Sequence, residues 1–248
     1  MSQGFSNPRG TWDQRFSRDD FIFGTAPNKF LESQLGRLSP GQRALCVADG
    51  EGRNGVWLAR NGLQVTAFDI SPVGVAKARR WAAENQVALD LQVASAETWD
   101  WQAASYDVVA AIFVHFAPPA LREQMFEGMI TVLRPGGWLF LQGYTPRQLE
   151  YKTGGPPNAD HLYTEAMLRE AFQGHELVDI REHDSVIAEG TQHAGMSALI
   201  DCAVRKAAAS HPASSAGRNR RRTPRRSGGR RSGSWPAHRP RSGRDRSR

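Results

Sequence analysis

Residues Ala48 to Gly55 read ADGEGRNG, directly after the apolar run RALCVA. Gly50, Gly52 and Gly55 fall at the G-x-G-x-x-G spacing of a turn whose main-chain N–H groups approach a ligand at the start of a helix. Asp49 and Glu51 put two carboxylates into that turn. A third acid, Asp69, closes the next apolar run, 19 residues beyond Gly50, where a carboxylate can accept hydrogen bonds from ribose hydroxyls. His115, in FVHF (113–116), stands where a fourth apolar run ends. It is a candidate general base facing an acceptor, or equally a polar side chain satisfied at the end of a strand.

Two ribose-bearing ligands compete for such a turn. NAD brings a pyrophosphate, which wants main-chain donors and no nearby anions. S-adenosylmethionine brings no phosphate; besides its carboxylate it carries a cationic sulfonium and an ammonium group. Asp49 and Glu51 oppose the first and favour the second. No Tyr-x-x-x-Lys pair supports nicotinamide chemistry, and residues 113–116 are not the Asp/Asn-Pro-Pro-Tyr of enzymes that methylate nucleobase amino groups. Histidine, cysteine and acidic residues nowhere cluster at metal-ligand spacing, so no metal is expected.

These residues need a scaffold that brings two strand ends and a helix start together. Strand-like segments at 43–48, 64–69, 89–94, 107–114, 138–144, 175–185 and 197–205 alternate with helical ones at 53–62, 73–85, 119–133 and 164–172. Ser71 and Pro72 read as an N-cap followed by proline at the first helical position. Leu121, Met125, Met129 and Leu133 form one apolar stripe at helical spacing. The pattern predicts an α/β fold: a single Rossmann-like three-layer sandwich with a mostly parallel seven-stranded sheet and a terminal antiparallel strand. Ligands of such sheets bind beyond the carboxyl ends of the strands, beside the first one, and ADGEGRNG lies there. Residues 145–162, rich in glycine and proline, read as a loop insertion over that edge, large enough to cover a small molecule.

Of 248 residues, 206–248 hold thirteen arginines, one lysine and a single acid, whereas 1–205 carry a net charge of −6. The overall +7 therefore says nothing about the ligand of the body. The Arg/Ser/Gly/Pro composition of 206–248 predicts a disordered tail; nucleic acid is an expected partner only through this arm, by phosphate contacts. No run approaches the ~20 apolar residues of a membrane span. Cys46 and Cys202 fall in predicted strands as buried reduced thiols. With no apolar run after the first charges, this points to a cytoplasmic protein.

The chain resembles the class I S-adenosylmethionine-dependent methyltransferases over about residues 10–205, and within them most the small bacterial tellurite-resistance and thiopurine-type enzymes. WDQRF, FGTAPNKFL, ADGEGRNGVWLA, VTAFDIS, FVHF, LRPGGWLFLQGY and TGGPP carry the resemblance. It implies S-adenosylmethionine as methyl donor and a small-molecule acceptor, such as a thiol or chalcogen compound. A nucleic-acid-binding or RNA-modifying methyltransferase using the tail is the alternative. By resemblance, Ala48, Asp49, Gly50, Glu51 and Gly52 wrap the methionine portion and Asp69 holds the ribose. Ile70 packs on the adenine, Ala96 and Glu97 flank it, and Phe113 borders the cofactor. Residues 1–30, with Trp12, Arg15, Phe16 and Phe23, form a lid over a domain of residues 31–205. Two positions depart from the family pattern: Cys46 where an acid is usual and Ala48 where a glycine is usual.

Overall fold

A computed structural model describes residues 7–102 and 105–208. Seven strands form one sheet: β1 (Arg43–Val47), β2 (Gln64–Asp69), β3 (Asp90–Val93), β4 (Tyr106–Ile112), β5 (Leu133–Tyr144), β6 (Glu176–Glu189) and β7 (His193–Arg205). Their order is β3-β2-β1-β4-β5-β7-β6. The first five run parallel, and β7 is antiparallel to both β5 and β6. This is the predicted mixed sheet, with its switch point between β1 and β4.

Side chains alternate across the strands, so β1 feeds two cores. Leu45 and Val47 face a layer with Val109, Leu139, Leu141, Met125 and Met129. Ala44 and Cys46 face a second layer with Val108, Phe140, Leu58 and Leu31. The first layer contains residues of α5 (Pro119–Thr131) and α7 (Glu165–Ala171). The second draws on α3 (Arg53–Arg60) and on α2, a short helix at Lys29–Ser33. The helix α4 (Pro72–Glu84) begins as its sequence predicts, with the Ser71 hydroxyl accepting from Gly74 N at 3.1 Å. Both cysteines are buried free thiols.

Three boundaries differ from expectation. Leu133 does not end the α5 stripe; it pairs with Tyr106 as the first residue of β5, and RPGG (134–137) is absorbed as an irregularity before Trp138 pairs with Val108. β6 and β7 run on to Glu189 and His193, which pair directly, leaving only residues 190–192 as the turn. Lys206 belongs to the body: its Nζ donates to the carbonyls of Ile130 and Leu133 at 2.7 Å each, and Gly136 N donates to its carbonyl. The remainder of the predicted tail, 209–248, lies outside the described residues.

Residues 145–162 contain a four-residue helix, α6 (Gln148–Tyr151), and a 3-10 turn at Ala159–His161. They are fastened to β7, where Gln148 Oε1 accepts from Ala198 N at 2.8 Å and Thr153 Oγ1 donates to Met196 O. The N-terminal strap starts with α1 (Pro8–Phe16), which packs on α4. Asn28 caps α2 through its side chain.

Candidate functional site

The turn after β1 has the backbone its glycines require. Gly50 and Gly52 take φ of +56° and +88°, and Ala48 joins them at +49°. A left-handed alanine is strained, which is the physical content of its departure from glycine. Gly52 admits no side chain at all: a Cβ there would lie 2.7 Å from that of Ala78. The turn thus brings α3 and α4 together at the carboxyl edge of the sheet.

Asp49 and Asp69 meet in this turn. Asp69 accepts from Gly50 N and Ser71 N, both at 2.9 Å. Asp49 Oδ2 accepts from Gly55 N at 3.0 Å. Burial raises the Asp49 carboxyl to about 7, against the Gly55 hydrogen bond and the charge of Arg53. Burial likewise raises Asp69 to about 6, with Asp13 and Glu51 adding to the rise against the Ser71 and Gly50 hydrogen bonds. The turn therefore holds two buried carboxyls whose ionisation burial opposes and a nearby cation would favour.

Glu51 is placed differently from its expected role. Its carboxylate is turned away from the turn's mouth: Oε1 lies 2.5 Å from Lys77 Nζ, and Oε2 accepts from Ile22 N at 2.8 Å. Lys77 also donates to the carbonyls of Arg18 and Asp20 at 2.9 and 2.6 Å. The pair therefore anchors the strap. Further latches are Asp13 on the Ser71 hydroxyl at 2.5 Å and Ile22 O accepting from Thr191 N at 2.9 Å. The ring of Phe16, held in place by these contacts, lies against Gly50 and Gly74.

The other expected cofactor residues scatter around this edge. Ile70 is partly buried at the end of β2. Ala96 is buried in the core cluster that contains Phe68. Glu97 is exposed. Phe113 sits just past β4 with φ +57°, its ring 4.7 Å from Tyr144 and 4.4 Å from His193.

His115 does not present a base. Its Nε2 accepts from Tyr144 N at 2.8 Å, and its ring stacks on Tyr163 at 4.3 Å. The main-chain N–H fixes the tautomer: Nε2 is the acceptor and Nδ1 carries the proton. Burial, followed by the nearby His161, lowers its pKa to about 3. The lone pair that a base needs is occupied by the backbone.

Several residues that the sequence did not single out converge here. Arg53 and Glu189 form an ion pair at 2.7 Å with 7% and 8% exposure. Asn28 Nδ2 donates to Gln142 Oε1 at 2.6 Å and to Glu189 Oε1 at 3.0 Å. Gln142 passes the network to Asp201 at 2.5 Å. Beside it, His193 is boxed by Phe23 at 4.5 Å, Phe113, and Tyr144 edge-on at 5.8 Å. Burial, then the charge of Arg53, holds His193 well below the usual histidine range, so it is neutral. A cleft of about 600 Å³ opens between residues 23–33 and the β6–β7 hairpin, with Glu189, Gln142 and Asp201 in its wall. In the sequence this group is signalled by Arg53, within the GRN of the glycine turn, by Phe23 and Phe113, and by His193 in EGTQHAG, a loop histidine that could contact substrate; Asn28, Gln142, Glu189 and Asp201 carry no such signal.

No group of three or more histidines, cysteines or acids among the described residues is arranged to hold a metal. No described helix is long and apolar enough to cross a membrane.

Residues 44–137 match a family profile described as a methyltransferase domain. Over 115 residues the chain is 37% identical to the ubiquinone biosynthesis O-methyltransferase of Xanthomonas axonopodis pv. citri, covering 45% of this chain and 47% of that protein. The chain thus spans under half the length of this curated relative. Among solved structures, the N-methyltransferase NodS from Bradyrhizobium japonicum, in complex with S-adenosylhomocysteine, superposes with a TM-score of 0.62 at 14% identity. The match covers 81% of this chain and 98% of that one. TehB from Haemophilus influenzae superposes at 0.57 and 14% identity, covering 80% and 66%. The fold is shared with solved methyltransferases.

Proposed function

We propose that this chain binds S-adenosylmethionine on the turn after β1 and transfers its methyl group to a small-molecule acceptor. The observation that carries the reading is the charge of the turn. Asp49 and Asp69 are buried there with pKa values of about 7 and about 6, and Asp13 and Glu51 add negative charge around Asp69. A pyrophosphate would meet these carboxyls, while Lys77 is engaged by Glu51 and by strap carbonyls and Arg53 is paired with Glu189. A cationic ligand lowers the cost of ionising both carboxyls. The matched methyltransferase domain at residues 44–137 supports the same ligand.

The residues present fit this cofactor. The left-handed backbone at Ala48, Gly50 and Gly52 leaves main chain rather than side chain facing it, and Asp69 stands at the ribose position. When bound, S-adenosylmethionine supplies a methyl group on a cationic sulfur. In this reading Asp69 orients the ribose, Asp49 favours the positive charge, and Phe113 borders the transfer path. Phe16 and Phe23 exclude water from above, so alignment and desolvation carry the rate. Ile70, Ala96 and Glu97 keep the adenine-side roles that the resemblance implies, and Glu51 holds the lid.

The acceptor follows from the missing base. With His115 bonded to the backbone, an acceptor already deprotonated near neutral pH suits the site better than an amine or a phenol. A thiolate or other soft chalcogen nucleophile meets that requirement. Calorimetric titration of the full chain with S-adenosylmethionine, S-adenosylhomocysteine and NAD tests the cofactor. Micromolar binding of the first two without NAD is expected, and NAD binding alone would overturn the reading. A screen of thiol and chalcogen acceptors with methyl-labelled donor then tests the acceptor class.

A further inference from the structure

We propose that Arg53, Tyr144 and His193 form a subsite for an anionic group, such as a carboxylate, carried on the acceptor molecule. The inference rests on the methyl-transfer reading only in calling the ligand an acceptor. Buried polar atoms in native proteins nearly always have partners. Three at this place have none: Arg53 Nη1, the Tyr144 hydroxyl and His193 Nδ1. Their residues are 7%, 1% and 8% exposed.

Arg53 is the decisive member. Glu189 engages its Nη2 at 2.7 Å, leaving Nη1 with N–H groups that only an acceptor atom can satisfy, since a guanidinium has no lone pair to offer. A group without an acceptor atom placed there would leave that donor buried and unmade, and an anionic acceptor makes the stronger, charge-assisted bond. The Tyr144 hydroxyl adds a donor from the same aromatic box, neutral His193 adds one in its Nδ1–H tautomer, and Phe23 closes the box over the His193 ring. The charge of Arg53 is felt by both of these residues, and that of Arg15 by His193. Arg15 lies 4.5 Å over the Trp12 ring and 5.8 Å from that of Phe23. At Tyr144 the Glu189 charge outweighs that of Arg53, whereas at His193 the two arginines act together, so the positive potential is confined to the His193 side, unlike the turn that holds Asp49 and Asp69. Phe113 lies beside His193 and Tyr144 at the carboxyl end of β4, where ligands of such sheets bind. A cationic donor on one side and an anionic acceptor group on the other match this division. The walls contributed by Phe23 and Phe113 add an apolar body to the acceptor.

The test uses the full chain and 3-phenylpropionate, with 3-phenylpropionamide as its neutral counterpart, titrated by calorimetry. The carboxylate is expected to bind at least tenfold more tightly than the amide. Tyr144→Phe removes only the hydroxyl, whose neighbour in the fold is the Ser197 side chain, and should weaken carboxylate binding about fivefold with little change in thermal stability. Arg53→Met with Glu189→Gln removes the charge without stranding its partner, and should abolish the preference for carboxylate. Equal binding of acid and amide, or affinity within twofold in both variants, overturns the proposal. S-adenosylhomocysteine is titrated into the same samples. Its failure to bind while the carboxylate binds would remove the methyl-transfer reading and leave the anion subsite standing. Its binding without carboxylate preference would remove the subsite alone.

Discussion

The Lys77–Glu51 pair gives the sharpest test of how the N-terminal strap is held. Both side chains are 3% exposed and 2.5 Å apart. Lys77→Met keeps the apolar stem and deletes the charge. Glu51 is then a buried carboxylate whose remaining partner is Ile22 N, and the carbonyls of Arg18 and Asp20 lose their donor. Breaking one side of a buried pair costs about 3–5 kcal/mol, a large part of the ~5–15 kcal/mol that stabilises a typical domain. Adding Glu51→Gln removes the stranded charge while keeping an acceptor for Ile22 N. The double variant should therefore recover about 2 kcal/mol or more of the loss, a coupling far outside the ~0.5 kcal/mol scatter of independent sites. Urea denaturation of the four proteins at pH 7.5 reads the cycle. Proteolysis between Phe16 and Ile22 reads the strap, which should be cut faster in the single variant. A single variant that costs under ~1 kcal/mol, or a double variant that is merely additive, would refute the anchor role of Glu51.

Two further outcomes follow from the titrating groups. Asp49 and Asp69 have native pKa values of about 7 and about 6 against an ordinary 3.8. The native state therefore holds protons that the unfolded chain has released, and stability should fall as pH rises from about 4 through about 7. Asp49→Asn should flatten the upper part of that slope in denaturation curves recorded at several pH values, and saturating S-adenosylmethionine should shift it to lower pH. His115, with its pKa near 3, should contribute no limb to the pH–rate profile of methyl transfer between pH 5 and 9. His115→Gln should change the height of that profile and not its shape, and loss of an acidic limb in this variant would restore His115 as a base.

The order of elements was legible because each parallel strand and each helix carries its own periodicity and its own punctuation. Ser71 and Pro72 start α4 as the sequence predicts. The β6–β7 hairpin was cut short because EGTQHAG reads as a link. Its outer strand is an edge with alternating partial exposure, so its polar residues mimic loop. Leu133 has the right spacing for the α5 stripe and still joins β5, because Tyr106 offers a strand partner there. Spacing along the chain does not report which neighbour across the sheet competes for a residue.

The site divides along the same physical line. Main-chain features of the turn follow from local sequence: glycines at 50 and 52 dictate a backbone, and the backbone dictates where a ligand can approach. Side-chain roles depend on partners far away in the chain. Glu51 is matched by Lys77, 26 residues on, His115 by the N–H of Tyr144, 29 residues on, and Arg53 by Glu189, 136 residues on. An acid in a glycine turn reads as available charge until the cation that neutralises it is known. That is why Asp69, held by the Gly50 and Ser71 main-chain donors, and Asp49, held by Gly55 N, stay at the turn, while Glu51 is taken up in anchoring the N-terminal strap. The same criterion reverses for Arg53. Its own carboxylate partner engages one edge of the guanidinium and leaves the other unmatched, so a residue that local sequence places at the glycine turn owes its free donor to a partner 136 residues away.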